Sequence, residues 1–78
     1  IYILYTMKKI KKIKIKLNGK AKVIIENLKI INLISDLKIP VKKVAIELNA
    51  EIIDKKKLNK IKLKDGDQIE IVHFIGGG

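Results

Sequence analysis

No pair of residues constrains the fold of this chain more than Asn18-Gly19. On its N-terminal side Ile13, Ile15 and Leu17 alternate strictly with Lys12, Lys14 and Lys16. A period of two marks a half-buried strand, apolar on one face and wet on the other. Asn-Gly after such a run predicts a tight hairpin, because a type I′ turn needs positive φ at both central residues and these two types accept it at least cost. Residues 22–25 then return antiparallel. The resulting hairpin has an apolar face that the rest of the chain must cover.

Asn27 is placed to cap a helix, its side-chain oxygen accepting a free amide of the first turn. Ile30, Leu33, Ile34 and Leu37 recur at i, i+3, i+4 and i+7, the stripe of an amphipathic helix. Pro40 forbids continuation and biases Ile39 away from helical backbone, so the helix ends near Leu37. Val44, Ile46 and Leu48 alternate with Ala45 and Glu47 as a third strand, which Asn49-Ala50 turns into a short strand over 51–53. Residues 54–64 read as a lysine-rich loop with a helical turn around Leu58–Lys60. Asp65-Gly66-Asp67 is a turn before the last strand, Gln68–Phe74.

A lone helix buries its stripe against one face of a sheet. The first and last strands can pair in parallel at the sheet centre through right-handed crossovers. The expected fold is α+β: a ubiquitin-like β-grasp with a mixed four- to five-stranded sheet and one helix packed across one face. The expected organisation is a partly disordered N-terminal leader over 1–10, the domain over 11–74 and a flexible glycine tail over 75–78. Met7 reads as the initiating residue, with Ile1–Thr6 upstream of it.

Composition narrows the function classes. The chain has no cysteine, so thiolate metal sites, disulfides and Cys nucleophiles are excluded. Its apolar runs are too short to span a bilayer, and no membrane partner is expected. The expected compartment is cytoplasmic, or the plastid stroma for a plastid-encoded chain. The net charge of +10 comes from eighteen lysines and no arginine. Lysine supplies sequence-independent phosphate attraction, which makes a small basic nucleic-acid-binding module the alternative of another class. Against it, no arginine is available to read bases, and Tyr2, Tyr5 and Phe74 are the only aromatic residues for stacking. The matching excess of isoleucine and lysine is what an AT-rich genome supplies, so nucleic acid is not an expected partner.

The chain ends VHFIGGG. Along the last strand Ile69 and Ile71 point one way, while Gln68, Glu70, Val72 and Phe74 point the other. Gln68 and Glu70 mark that second face as wet, so Val72 and Phe74 are apolar residues facing solvent, a signature of docking. Phe74 folded over the sheet edge is the structural alternative. Gly76, Gly77 and Gly78 lack Cβ atoms, so this run is thin and conformationally free. From Ile75 onward, four extended residues reach roughly 13 Å. Such a tail can thread a narrow channel and present its terminal carboxylate to a nucleotide held by another protein. A carboxylate is a poor electrophile, but an acyl-adenylate is open to sulfur, nitrogen or oxygen nucleophiles.

VAIELNAEII (44–53), DGDQIEIVHFIGGG (65–78) and the helix end LISDLKIP (33–40) together closely resemble the ThiS family, the sulfur carriers of thiamine biosynthesis. The resemblance runs over about residues 11–78. It implies a carrier and not an enzyme. By motif match Gly78 is adenylated and then becomes a thiocarboxylate that donates sulfur for thiazole formation, with Gly76 and Gly77 as tail and Val72, Phe74 and Ile75 as partner docking. The implied partners are a ThiF-like adenylating enzyme, which uses ATP and magnesium, and a ThiG-like thiazole synthase. The carrier itself is expected to bind no cofactor and to be a monomer when free. Where the family usually carries Gly this chain has Ala50, so that turn is expected to be strained or of another type. A molybdopterin-synthase small-subunit-like carrier shares this chemistry and is the alternative within the class. Conjugation to proteins and tRNA thiolation are further variants.

His73, alone among its type and without a cysteine, reads as a structural or interface residue. Asp65 and Asp67 flank a turn glycine and read as turn chemistry, with no metal expected. Glu47 and Glu51 read as a solvated hairpin face.

Overall fold

A computed structural model describes residues 10–74. The expectations for the leader before Ile10 and for the tail from Ile75 onward lie outside those residues.

Strand β1 (Lys12–Leu17) turns through Asn18-Gly19 into β2 (Lys20–Ile25). Leu17 faces Lys20 and Lys12 faces Ile25, so the loop is the two-residue one that Asn-Gly specifies. Its φ values are +50° at Asn18 and +81° at Gly19, positive at both positions as a type I′ turn requires. Strand β2 begins two residues earlier than the alternation alone suggested. The hairpin is self-templating once the turn is set.

Helix α1 (Ile30–Asp36) carries Ile30, Leu33 and Ile34 into the core. Its start corrects the reading of Asn27 as a cap. Asn27 adopts φ +66° in the preceding turn, and Lys29 occupies the cap position without a side-chain bond. The first amides are met by backbone from elsewhere in the chain. Ile30 N–H donates to Ile61 O at 3.0 Å and Ile31 N–H to Leu58 O at 3.0 Å. These tertiary bonds satisfy groups a helix leaves free at its start. At the other end Ile39 N–H donates to Ile34 O and Lys38 N–H to Ser35 O. This is the paired 6→1 and 5→2 closure of a Schellman motif, with Lys38 at φ +57° where glycine is commoner.

A 3₁₀ turn (Val41–Lys43) leads into β3 (Val44–Leu48), which hairpins into β4 (Glu51–Ile52). A second 3₁₀ turn, Lys55–Lys57, lies one turn earlier than the expected Leu58–Lys60. Asp54 caps it, accepting the Lys56 amide at 2.9 Å, and Leu58 anchors it in the core at 1% exposure. Strand β5 (Gln68–His73) completes a five-stranded sheet in the order β2-β1-β5-β3-β4. It runs parallel to β1 and antiparallel to β3, as the β-grasp reading requires.

The core of eleven buried apolar residues draws on every strand except the short β4: Ile15, Ile24, Val44, Ile46, Ile69 and Ile71 from the sheet, met by the helix and by Leu58 and Leu63. Each such side chain contributes about 1.5–3 kcal/mol on burial. In place of disulfides, packing holds the domain.

The β3–β4 turn shows the strain the sequence foreshadowed. Asn49 has φ +51° and Ala50 has φ +71°. For a residue with a Cβ, left-handed backbone costs roughly 1–2 kcal/mol. Ala50→Gly is expected to raise stability by about 1 kcal/mol, read as a higher midpoint in denaturant at an unchanged slope. A midpoint that stays or falls would show the turn relaxed without glycine.

Candidate functional site

Strand β5 is gripped on both sides, and that grip determines where the chain leaves the domain. Ile69 and Ile71 are buried at 0% and 7% exposure. Strand β1 is too short to pair with the upper half of β5, so Asn18 substitutes for it. Its Oδ1 accepts Ile71 N–H at 2.7 Å and its Nδ2 donates to Ile71 O at 3.4 Å, the pattern of a missing strand. At the lower end Asn49 Oδ1 accepts Gln68 N–H at 2.9 Å while Asn49 Nδ2 donates to Asp67 Oδ1 at 3.1 Å. The two turn asparagines thus perform a second task, clamping the central strand.

Asp65 and Asp67 act on the backbone. Asp65 Oδ1 accepts Lys14 N–H and Asp67 Oδ2 accepts Lys64 N–H, each at 2.8 Å. Two carboxylates absorbed in this way define the entry to β5 and tie it to β1. Among the described residues no cluster of His, Cys, Asp and Glu has metal-site geometry.

On the face away from the helix, Val72 and Phe74 are 52% and 53% exposed. Val72 pairs with Ala45 of β3. Phe74 N–H donates to Lys43 O at 2.9 Å, extending the β3–β5 ladder past the strand's last residue. The ring does not fold into the core. Lys55 Nζ lies 5.1 Å from its centroid, a cation–π arrangement. Lys55 is a site residue the sequence did not reveal: it sits in a lysine run, nineteen positions before Phe74, and nothing local distinguishes it from Lys56 or Lys57. His73, opposite Val44, is exposed at the end of β5.

The structure therefore brings together Val72 and Phe74, with Lys55 beside them, where β5 ends. Ile75, Gly76, Gly77 and Gly78 come directly after in sequence and lie outside the described residues. Chemically, this region offers an apolar, partly cationic surface at the base of the glycine run.

Residues 15–78 match the ThiS family. The chain is 45% identical over 47 residues to the sulfur carrier protein ThiS of Bacillus subtilis, covering 60% of this chain and 71% of that protein. It is 37% identical over 65 residues to a thiazole synthase of Paramagnetospirillum magneticum, covering 83% of this chain but 20% of that protein. The chain thus spans about a fifth of that relative's length. A crystal structure of the thiamine biosynthesis protein ThiS from Geobacter metallireducens superposes with a TM-score of 0.75 at 33% identity, covering 85% of this chain and all of that one.

Proposed function

The chain belongs to the ThiS family, and on that premise we propose that it is a sulfur carrier of thiamine biosynthesis whose cargo sits on the carboxylate of Gly78. One observation carries this reading: a central strand buried at Ile69 and Ile71 and clamped by Asn18 ends in exposed Phe74, immediately before the glycine run. Rigid delivery to the last strand residue, then residues without side chains, suits a chain that inserts its end into another protein.

The proposed chemistry takes place on a partner. A carboxylate oxygen of Gly78 attacks the α-phosphorus of ATP, pyrophosphate leaves, and an acyl-adenylate forms, with magnesium balancing phosphate charge on the adenylating enzyme. A sulfide-equivalent nucleophile then attacks the acyl carbon and AMP departs with the former carboxylate oxygen. The thiocarboxylate remains. Glycine at the reacting position leaves the carbonyl open to attack, since no Cβ crowds it. In this reading the domain is a handle. It places the carbonyl, while a ThiF-like enzyme performs activation and a ThiG-like synthase receives the sulfur. Support for the second partner comes from the stretches similar to this chain that form 20% and 11% of two proteins named thiazole synthase.

The test is mass spectrometry. Incubated with ATP, magnesium, the adenylating enzyme and a sulfur donor, the full chain is expected to gain the mass of one oxygen-to-sulfur exchange, located in its C-terminal peptide at Gly78. A peptide that stays unmodified under conditions that convert the Bacillus subtilis carrier would sink the reading.

A further inference from the structure

We propose that the outer face of β5 and its neighbours is a charge-ordered docking surface that sets the orientation of this chain on its adenylating enzyme, an inference that rests on the carrier reading above. Three rows lead along the strand toward the tail. In the first, Glu47 and Glu70 stand directly opposite each other across β3 and β5. Like charges opposed in this way destabilise a sheet. With eighteen lysines and eight acids in the chain, a lysine facing one of them would be the ordinary outcome. Such local rule-breaking concentrates at functional surfaces.

The second row is apolar, Ala45 opposite Val72. In the third, the exposed Phe74 ring lies beneath the Lys55 ammonium. Lys55 is firmly mounted, because Asp54 caps its turn and buried Leu58 pins it to the helix. The surface is therefore anionic at one end, apolar in the middle and cationic at the end from which the tail departs. A matching partner presents a cationic side chain, an apolar groove and then a carboxylate at the mouth of the channel that leads to its nucleotide. The adenylating enzyme is the occupant because the tail, reaching roughly 13 Å beyond Phe74, must meet ATP from this cationic end. Unlike ends give the contact a direction: reversed docking sets like charge against like at both. Complementarity of this kind acts chiefly on association and register. The general lysine excess cannot supply it, since net charge attracts without orienting.

The experiment measures ATP–pyrophosphate exchange by the cognate adenylating enzyme against concentration of the full chain, at low and high salt. Lys55→Glu and Glu70→Lys are compared with Lys12→Glu, which changes the charge as Lys55→Glu does but lies at the far end of β1. Each of the first two is expected to raise the half-saturating concentration about tenfold at low salt. The gap should narrow at high salt, with the maximal rate and thermal unfolding unchanged. Lys12→Glu should stay within about twofold of the unaltered chain. If Lys12→Glu matches Lys55→Glu, or Glu70→Lys binds better than the unaltered chain, net charge alone governs binding and the proposal is overturned. Absence of exchange with the unaltered chain would overturn the carrier reading and this surface with it.

Discussion

Deleting Gly77 and Gly78 is expected to leave thermal unfolding in place and to abolish ATP-dependent activation. The described core lies between Ile15 and Ile71, and neither glycine has a side chain to add to it. A shift in midpoint below about 2 °C is expected, which corresponds to a few tenths of a kcal/mol in a domain of this size. Activation fails for a reason of reach. The shortened chain still ends in a glycine carboxylate, at Gly76, so its chemistry is intact. That group is now roughly 7 Å short of its former place. Displacements of even 1 Å can cost about a hundredfold in rate where reacting atoms must be aligned, so the loss should be complete within detection. Differential scanning calorimetry and pyrophosphate release on the same sample decide it. Melting on deletion would assign the glycines a structural role, and retained activation would show that reach is not what the tail supplies.

The parts of the fold legible in the sequence were those set by local rules. Asn18-Gly19 required left-handed backbone at both positions and took it. The exact period of the last strand placed Ile69 and Ile71 inward and Val72 and Phe74 outward, because a strand has no third direction for a side chain. The helix stripe at Ile30, Leu33 and Ile34 was equally plain. What was not legible came from contacts distant in sequence. Asn27 has the right chemistry for a cap, yet the helix start is satisfied by carbonyls of Leu58 and Ile61, and no local signal announces a bond across some thirty residues. The 3₁₀ turn at Lys55–Lys57 had an Asp54 cap in view, but the lysine run hid it behind weak patterning.

The candidate site divides along the same line. Exposure at Val72 and Phe74 followed from parity. The Lys55 contact and the Glu47–Glu70 opposition needed the register, which depends on how β3, β4 and β5 meet. A face reading could place Glu47 in solvent but could not say what stood across from it. Local periodicity thus shows which side of a strand is free, and tertiary register shows what that side displays.

Ile69 and Phe74, five positions apart in the same segment, should give opposite results when each is cut to alanine. Ile69 is fully buried at the sheet centre, between Leu17 of β1 and Leu48 of β3. Removing its side-chain atoms leaves a cavity among Ile, Leu and Val neighbours, a change that costs about 2–5 kcal/mol. Small domains hold only about 5–15 kcal/mol in total, so Ile69→Ala should lower the unfolding midpoint by about 10 °C or more. Binding by the fraction still folded should be near normal. Phe74 is half exposed, and its described polar contact is a backbone amide that alanine keeps. Its loss removes an exposed cation–π contact worth about 0.5–1 kcal/mol, so folding should change little. Affinity for the adenylating enzyme should fall by about 2 kcal/mol or more, the scale of an aromatic anchor in an interface, or about thirtyfold in Kd. Calorimetric binding at a temperature where both variants are folded separates the two effects. Should Phe74→Ala melt the domain while its folded fraction binds normally, the ring belongs to the core and the docking surface must be sought elsewhere.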